Sequence, residues 1–235
     1  MILLNFIFVI SSFLHSDNKI STTDNNDTLK YTKEERKEIR KCNTAKFAFF
    51  YMGKQSREYI KLMNLCRNDG PLFVKYVHYK YGKEYSSKKL IRHFKVYKEI
   101  EKRPYLRPSI ALQFTAMFHA IVSGFSGYEG HRWLDFRLYL FLNTNILFGK
   151  GLRGENCDYG NRKAIDCLVD LLGSLPHRDN ILEKGYMRVG VASFYHTKYK
   201  FNQVSTFTGP KLMDIIFHQE DVNKTRSNLR KKKAK

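Results

Sequence analysis

The chain has 235 residues, 43% of them hydrophobic and four of them cysteine, and 42 Lys and Arg against 22 Asp and Glu give it a formal net charge of +20. That length suits one ordinary domain with flanking segments and is short for two. The cysteines form no CxxC pair and no Cys/His set at zinc-finger spacing, which excludes a zinc ribbon; with no RNP-like or helix-turn-helix pattern either, the charge gives no sign of sequence-specific nucleic-acid recognition.

Residues 1–16 (MILLNFIFVISSFLHS) form an apolar run without Lys, Arg, Asp or Glu. It is shorter than the roughly 20 residues of a membrane-spanning helix and reads as a cleaved secretion signal, which leaves no transmembrane segment and places the mature chain outside the cell. Two sequons, Asn26-Asp27-Thr28 and Asn223-Lys224-Thr225, suit that compartment. Export would make Cys42, Cys66, Cys157 and Cys167 candidates for two disulfides in any of three connectivities, with buried free thiols as the alternative. Residues 17–55 read as a polar spacer and N-terminal extension, with a charged helix over Lys33–Cys42.

From Ser56, a candidate helix cap, Tyr59, Ile60, Met63 and Cys66 recur at helical spacing until Gly70-Pro71 breaks or kinks the run. Residues 78–103 read as a basic insertion: Lys75 to Arg103 holds ten Lys or Arg against three Glu. After Pro104-Tyr105-Leu106-Arg107-Pro108 the pattern Leu112, Thr115, Ala116, His119, Ala120 predicts a closely packed helix over Ser109–Val122, with His119 as a core histidine. A glycine-punctuated loop follows, FSGYEGHRWLDFRL. Asn145–Phe148 reads as a buried strand leading into the loop GENCDYG (Gly154–Gly160), and Arg162–Leu172 as a third helix closed by Gly173. Met187–Tyr195 and Phe201–Thr208 alternate as paired strands around a hairpin at His196–Lys200. The order of elements predicts an α+β fold, helices on an antiparallel sheet. Residues 210–235 are a basic tail with six Lys or Arg after Asn223-Lys224-Thr225.

Glu155 in Gly-Glu-Asn, His177 in Ser174-Leu175-Pro176-His177-Arg178-Asp179-Asn180-Ile181-Leu182 and the strand Val189-Gly190-Val191-Ala192 follow one another in an order that resembles the SCP-like (CAP) superfamily, in its shorter, bacterial-type branch. Leu62-Met63-Asn64-Leu65-Cys66-Arg67, the helix around Leu112–Ala120 and the pair Asp135 and Arg137 fall where that family has similar fragments, so the resemblance covers 56–209. It implies a three-layer α-β-α sandwich, an extracellular binding role toward a host, a surface, a lipid or a sterol, and a cavity in which a first His joins Glu155 and His177. Ser126-Gly127 stands in the slot of that first His, with His131 on the same loop as a substitute, and Gly173-Ser174 fills the slot of a second carboxylate. The zinc ligand set is therefore incomplete: no cofactor is expected, with zinc as the alternative.

Glu155 on a loop before a helix and His177 on a loop after it are expected to meet in one hydrogen-bonded cleft, with Asn156, Arg178 and Asn180 structuring the two loops. No GxSxG, HExxH, P-loop or Rossmann fingerprint accompanies them. Three functions follow as expectations: binding without turnover; a metal-dependent hydrolase with Glu155 as base and His177 as ligand; or a basic module for a polyanionic surface, since dense cationic runs attract phosphate, sulfated glycans and anionic lipid.

Overall fold

The structure, a computed structural model, describes residues 31–82, 85, 101–142 and 152–209. The signal run, most of the basic insertion, Asn145–Phe148 and the tail lie outside the described residues.

Helix α1 (Lys33–Cys42) starts from a capping box in which the Thr32 side chain accepts from the Glu35 N–H and the Glu35 carboxylate accepts from the Thr32 N–H. Helix α2 (Lys54–Asn68) begins just upstream of the start that the sequence suggests; Gly53 is its cap, and Ser56 is buried within its first turn. The Gly70-Pro71 break is a junction between two helices. Asp69 ends α2 and accepts from the Leu72 N–H to cap α3 (Gly70–Tyr81), whose first turn accommodates Pro71 without losing a hydrogen bond. Tyr79–Tyr81 thus continue α3. The packed unit also reaches upstream of Ser56, because Tyr31, Cys42, Ala45, Ala48 and Met52 are buried in the core.

The short strand β1 (Arg107–Pro108) leads to α4 (Ile110–Ser126), capped by Ser109 and ended by Gly127 in the left-handed conformation. The predicted loop after Gly127 is short and runs into α5 (Leu134–Leu142). There follow β2 (Arg153–Tyr159), α6 (Ala164–Gly173), α7 (Leu175–Leu182), β3 (Arg188–Phe194) and β4 (Asn202–Thr208). The sheet order is β1-β3-β4-β2, with β1 parallel to β3 and the other pairs antiparallel. The fold is thus α+β as expected.

Side chains alternate across β3, so Val189 and Val191 join a core with α2, α3 and α6, while Ala192 joins Ala116, Ala120, Cys157 and Val204 on the opposite face. Helices therefore cover both faces of the sheet, and all seven residues of β4 are buried. Gly190 makes the second layer possible: a Cβ there would lie 2.1 Å from the Leu112 carbonyl carbon, so α4 rests directly on the strand.

Two expectations are corrected, and one left open is decided. Gly154-Glu155-Asn156 is the interior of β2, not a loop; a strand buried on both faces needs no alternation of polarity, so its glycine and asparagine mislead. His177 lies in α7, not on a loop, because Pro176 is accepted in the first helical turn. The four cysteines are free and buried, not disulfide-bonded. Cys42, Cys66 and Cys167 serve as small apolar residues in the larger core, and the sheet separates them from Cys157.

Candidate functional site around the Glu155 carboxylate

Strand β2 pairs Glu155 with Thr206 and Cys157 with Val204 of β4. The period of two sends the Glu155 and Cys157 side chains toward α4 and that of Asn156 to the other face. The Glu155 side chain is fully buried, and in a medium of low dielectric an unpaired carboxylate there would be untenable. Its partner comes from α5. The Arg137 guanidinium, 1% exposed, donates from Nη1 to Oε2 at 2.7 Å and from Nη2 to Oε1 at 2.9 Å, a two-pronged ion pair. Arg137 also donates from Nε to the Arg132 carbonyl at 3.1 Å, which fixes the fork in place. Thr206 Oγ1 donates to Oε2 at 3.2 Å.

Two histidines complete the surroundings. His131 Nδ1 stands 3.2 Å from Glu155 Oε1 and 3.7 Å from Cys157 Sγ, with half of its side chain open to solvent. His119, the predicted core histidine of α4, is buried; its Nε2 is 2.7 Å from the Gly130 carbonyl and 3.8 Å from Glu155 Oε1. Burial alone would raise the Glu155 carboxyl, but the hydrogen bonds from His131 and Arg137 and the Arg137 charge override it and hold it at about 2. Burial lowers the proton affinity of His119 more than the nearby carboxylate restores it. The Cys157 thiol is pushed well up by burial and by the Glu155 charge, so it is protonated at neutral pH.

His177 is not among the hydrogen-bond partners of Glu155. Burial and the neighbouring His131 lower its proton affinity. What ties the GEN strand to α7 is Asn156, whose Nδ2 donates to the His177 carbonyl at 2.9 Å. Asn180 Nδ2 donates to Asn156 Oδ1 at 2.9 Å and to the Glu155 carbonyl at 3.3 Å, and the Arg178 N–H donates to the Ser174 carbonyl in the first turn of α7. Gly154 is required here, since a Cβ would lie 2.2 Å from the Tyr186 hydroxyl. The direct Glu155–His177 hydrogen bond that the sequence suggests is therefore not formed; the carboxylate is bonded to Arg137, His131 and Thr206. Sequence reasoning misses Arg137, His119 and Cys157 as neighbours of Glu155. One signal for them exists: a buried carboxylate in a strand needs a buried cation, and Arg137 stands out in the sequence as part of the Asp135 and Arg137 fragment of the resemblance.

Chemically, the arrangement is a poor base. A carboxyl held at about 2 takes a proton only weakly at neutral pH, and general bases work best with pKa values near the working pH.

No protein-family model and no curated protein sequence matches this chain. Among solved structures, an outer surface protein from Borrelia burgdorferi is similar with a TM-score of 0.39 and 18% identity over 54% of this chain and 89% of that one. An extracellular protein containing a SCP domain from Bacillus anthracis str. Ames is similar with a TM-score of 0.37 and 22% identity, over 53% of this chain and 38% of that one.

Proposed function

We propose that the chain is an exported SCP-like domain that binds an anionic lipid surface and carries out no turnover. The observation that carries the reading is the closure of Glu155 by Arg137. In the hydrolase alternative Glu155 would be the base and His177 a ligand, and the ion pair leaves that carboxylate weakly basic and bonded to Arg137 in place of His177.

The surface suited to binding is α5. Its inner residues Leu138 and Leu142 are buried with Leu112 of α4, while Trp133, Phe136, Tyr139 and Leu140 face outward, each at least 41% exposed. The Arg132 guanidinium sits 5.1 Å from the rings of both Tyr128 and Trp133. Aromatic and leucine side chains beside cations on a strongly basic chain fit the boundary of an anionic bilayer better than a soluble polyanion, which offers charge but no apolar phase. Among the described residues no helix is long and apolar enough to cross a membrane, so the contact would be peripheral.

Co-sedimentation of the full chain with phosphatidylserine-containing and with purely phosphatidylcholine vesicles at about 0.15 M salt tests this. Binding to the anionic vesicles alone is expected, and Phe136→Ser with Leu140→Ser should abolish most of it, since both side chains are exposed and their loss leaves the core intact. Retention on heparin without vesicle binding would replace this reading with the polyanion one.

A further inference from the structure

The donors gathered at Glu155 Oε1 have the spacing of a coordination shell. Cys157 Sγ is 3.9 Å from Glu155 Oε1, His131 Nδ1 is 3.2 Å from that oxygen and 3.7 Å from the sulfur, and His119 Nε2 is 3.8 Å from the oxygen. His119, Glu155 and Cys157 place one donor atom each within 4.8 Å of one another, all three residues being buried. Ligands held about 2.0 to 2.3 Å from a tetrahedral zinc ion stand roughly 3.3 to 3.8 Å apart. The separations among Glu155, Cys157 and His131, 3.2 to 3.9 Å, bracket that range before any ion has drawn them in, and His119 stands 3.8 Å from the carboxylate oxygen they share.

We propose that His119, His131, Glu155 and Cys157 form a closed binding site for a thiophilic divalent cation of the zinc class. The set shares Glu155 and His131 with the ligands suggested by resemblance but omits His177 and adds a thiolate and a helix histidine. Its chemistry is consistent. A carboxylate has about four lone-pair positions; Arg137 takes one on each oxygen and Thr206 one more on Oε2, so Oε1 keeps the position now facing His131. The cation takes the place of the proton shared there, which passes to Nε2 of the half-exposed His131 ring as the imidazole changes tautomer. Arg137 already balances Glu155, so Cys157 supplies the charge: its thiol releases a proton to solvent as the sulfur–metal bond forms, and no electron is transferred. His119 exchanges its bond to the Gly130 carbonyl for the metal, the ring proton moving from Nε2 to Nδ1 as the imidazole changes tautomer, and Gly127 and Gly130, both at positive φ, flank the loop that must yield. Imidazole, thiolate and carboxylate together select zinc over magnesium or calcium. Four protein ligands leave no position for a reactive water, so the ion would pin the 127–133 loop and α4 to β2 without hydrolysing anything.

Cobalt(II) titrated into the reduced full chain, followed by zinc competition, tests the site. A tetrahedral cobalt spectrum with a thiolate charge-transfer band is expected at one equivalent, and zinc should erase it. Cys157→Ser should remove the charge-transfer band. His131→Ala, at a half-exposed position that spares the fold, should weaken binding by about tenfold or more. His177→Ala should change nothing. Absence of binding at micromolar cobalt, a charge-transfer band that survives Cys157→Ser, or loss of binding in His177→Ala would each overturn the proposal.

Discussion

The Glu155–Arg137 pair shows what a single buried charge demands of its neighbours. Taking both ions out of water costs several kcal/mol each, and the two-pronged geometry with Thr206 behind it is what offsets that cost. The resulting carboxyl, at about 2 against an ordinary 4.5, makes stability depend on pH in a definite direction. Because the folded-state value is depressed, the contribution is complete above the ordinary carboxyl range and drains away as the pH falls toward the folded value. The difference corresponds to about 3 kcal/mol. Urea unfolding of the wild type between about pH 6 and about pH 2.5 should therefore lose about that much more stability than Glu155→Gln does over the same span. Parallel curves for the two proteins would mean that Glu155 is not held low in the native state. Little of this is legible in the sequence. Glu155 and Arg137 both stand out there, but pairing residues 18 positions apart on a strand and a helix requires knowing that GEN is strand, and Gly, Asn and Asp signal turns more often than buried ladders.

At the level of elements the helices are largely readable and their boundaries less so. Periodic apolar residues mark α2, α4 and α6, and Gly70-Pro71 marks the α2–α3 junction, because a 3.6-residue period survives in any sequence whose one face is buried. The β3–β4 hairpin is readable from its length and turn. What stays hidden is α5, whose apolar residues are spread around its circumference while its one Arg points inward, and α7, eight residues begun by Leu175-Pro176. Asn64 and Arg67, in the sequence only fragments of a resemblance, are brackets: the Arg67 guanidinium donates to the carbonyls of Pro104, Ile181, Glu183 and Tyr186, and the Asn64 side chain binds Leu106 through both its oxygen and its nitrogen. Gly190 carries the sharpest element-scale consequence. Ala at this position would push its methyl into the Leu112 backbone, which cannot rotate away as a side chain could. Gly190→Ala should cost about 1 to 3 kcal/mol, the usual range for overpacking, while Gly173→Ala, with open space around it, should cost nothing measurable in the same urea titration. Equal effects would mean that α4 does not rest on β3 as described.

Across the whole molecule, charge and fold give different kinds of information. The net charge of +20 bears on what the chain meets, through fields screened within about 8 Å at physiological salt, and not on how it packs. The packing instead sets the Glu155–Arg137 pair where α5 joins the sheet, so the helix with the outward aromatic face is tied to the core through Arg137. That tie is the centre of the account, since it both holds the Glu155 carboxyl low and fastens α5 to the sheet. The most direct test is a double-mutant cycle in global unfolding with Glu155→Gln, Arg137→Met and the two together. Each single change strands a buried group and should cost about 3 to 5 kcal/mol, whereas removing both should cost less than either alone, a coupling of at least about 3 kcal/mol. Additive losses, with no coupling between the two positions, would contradict the account.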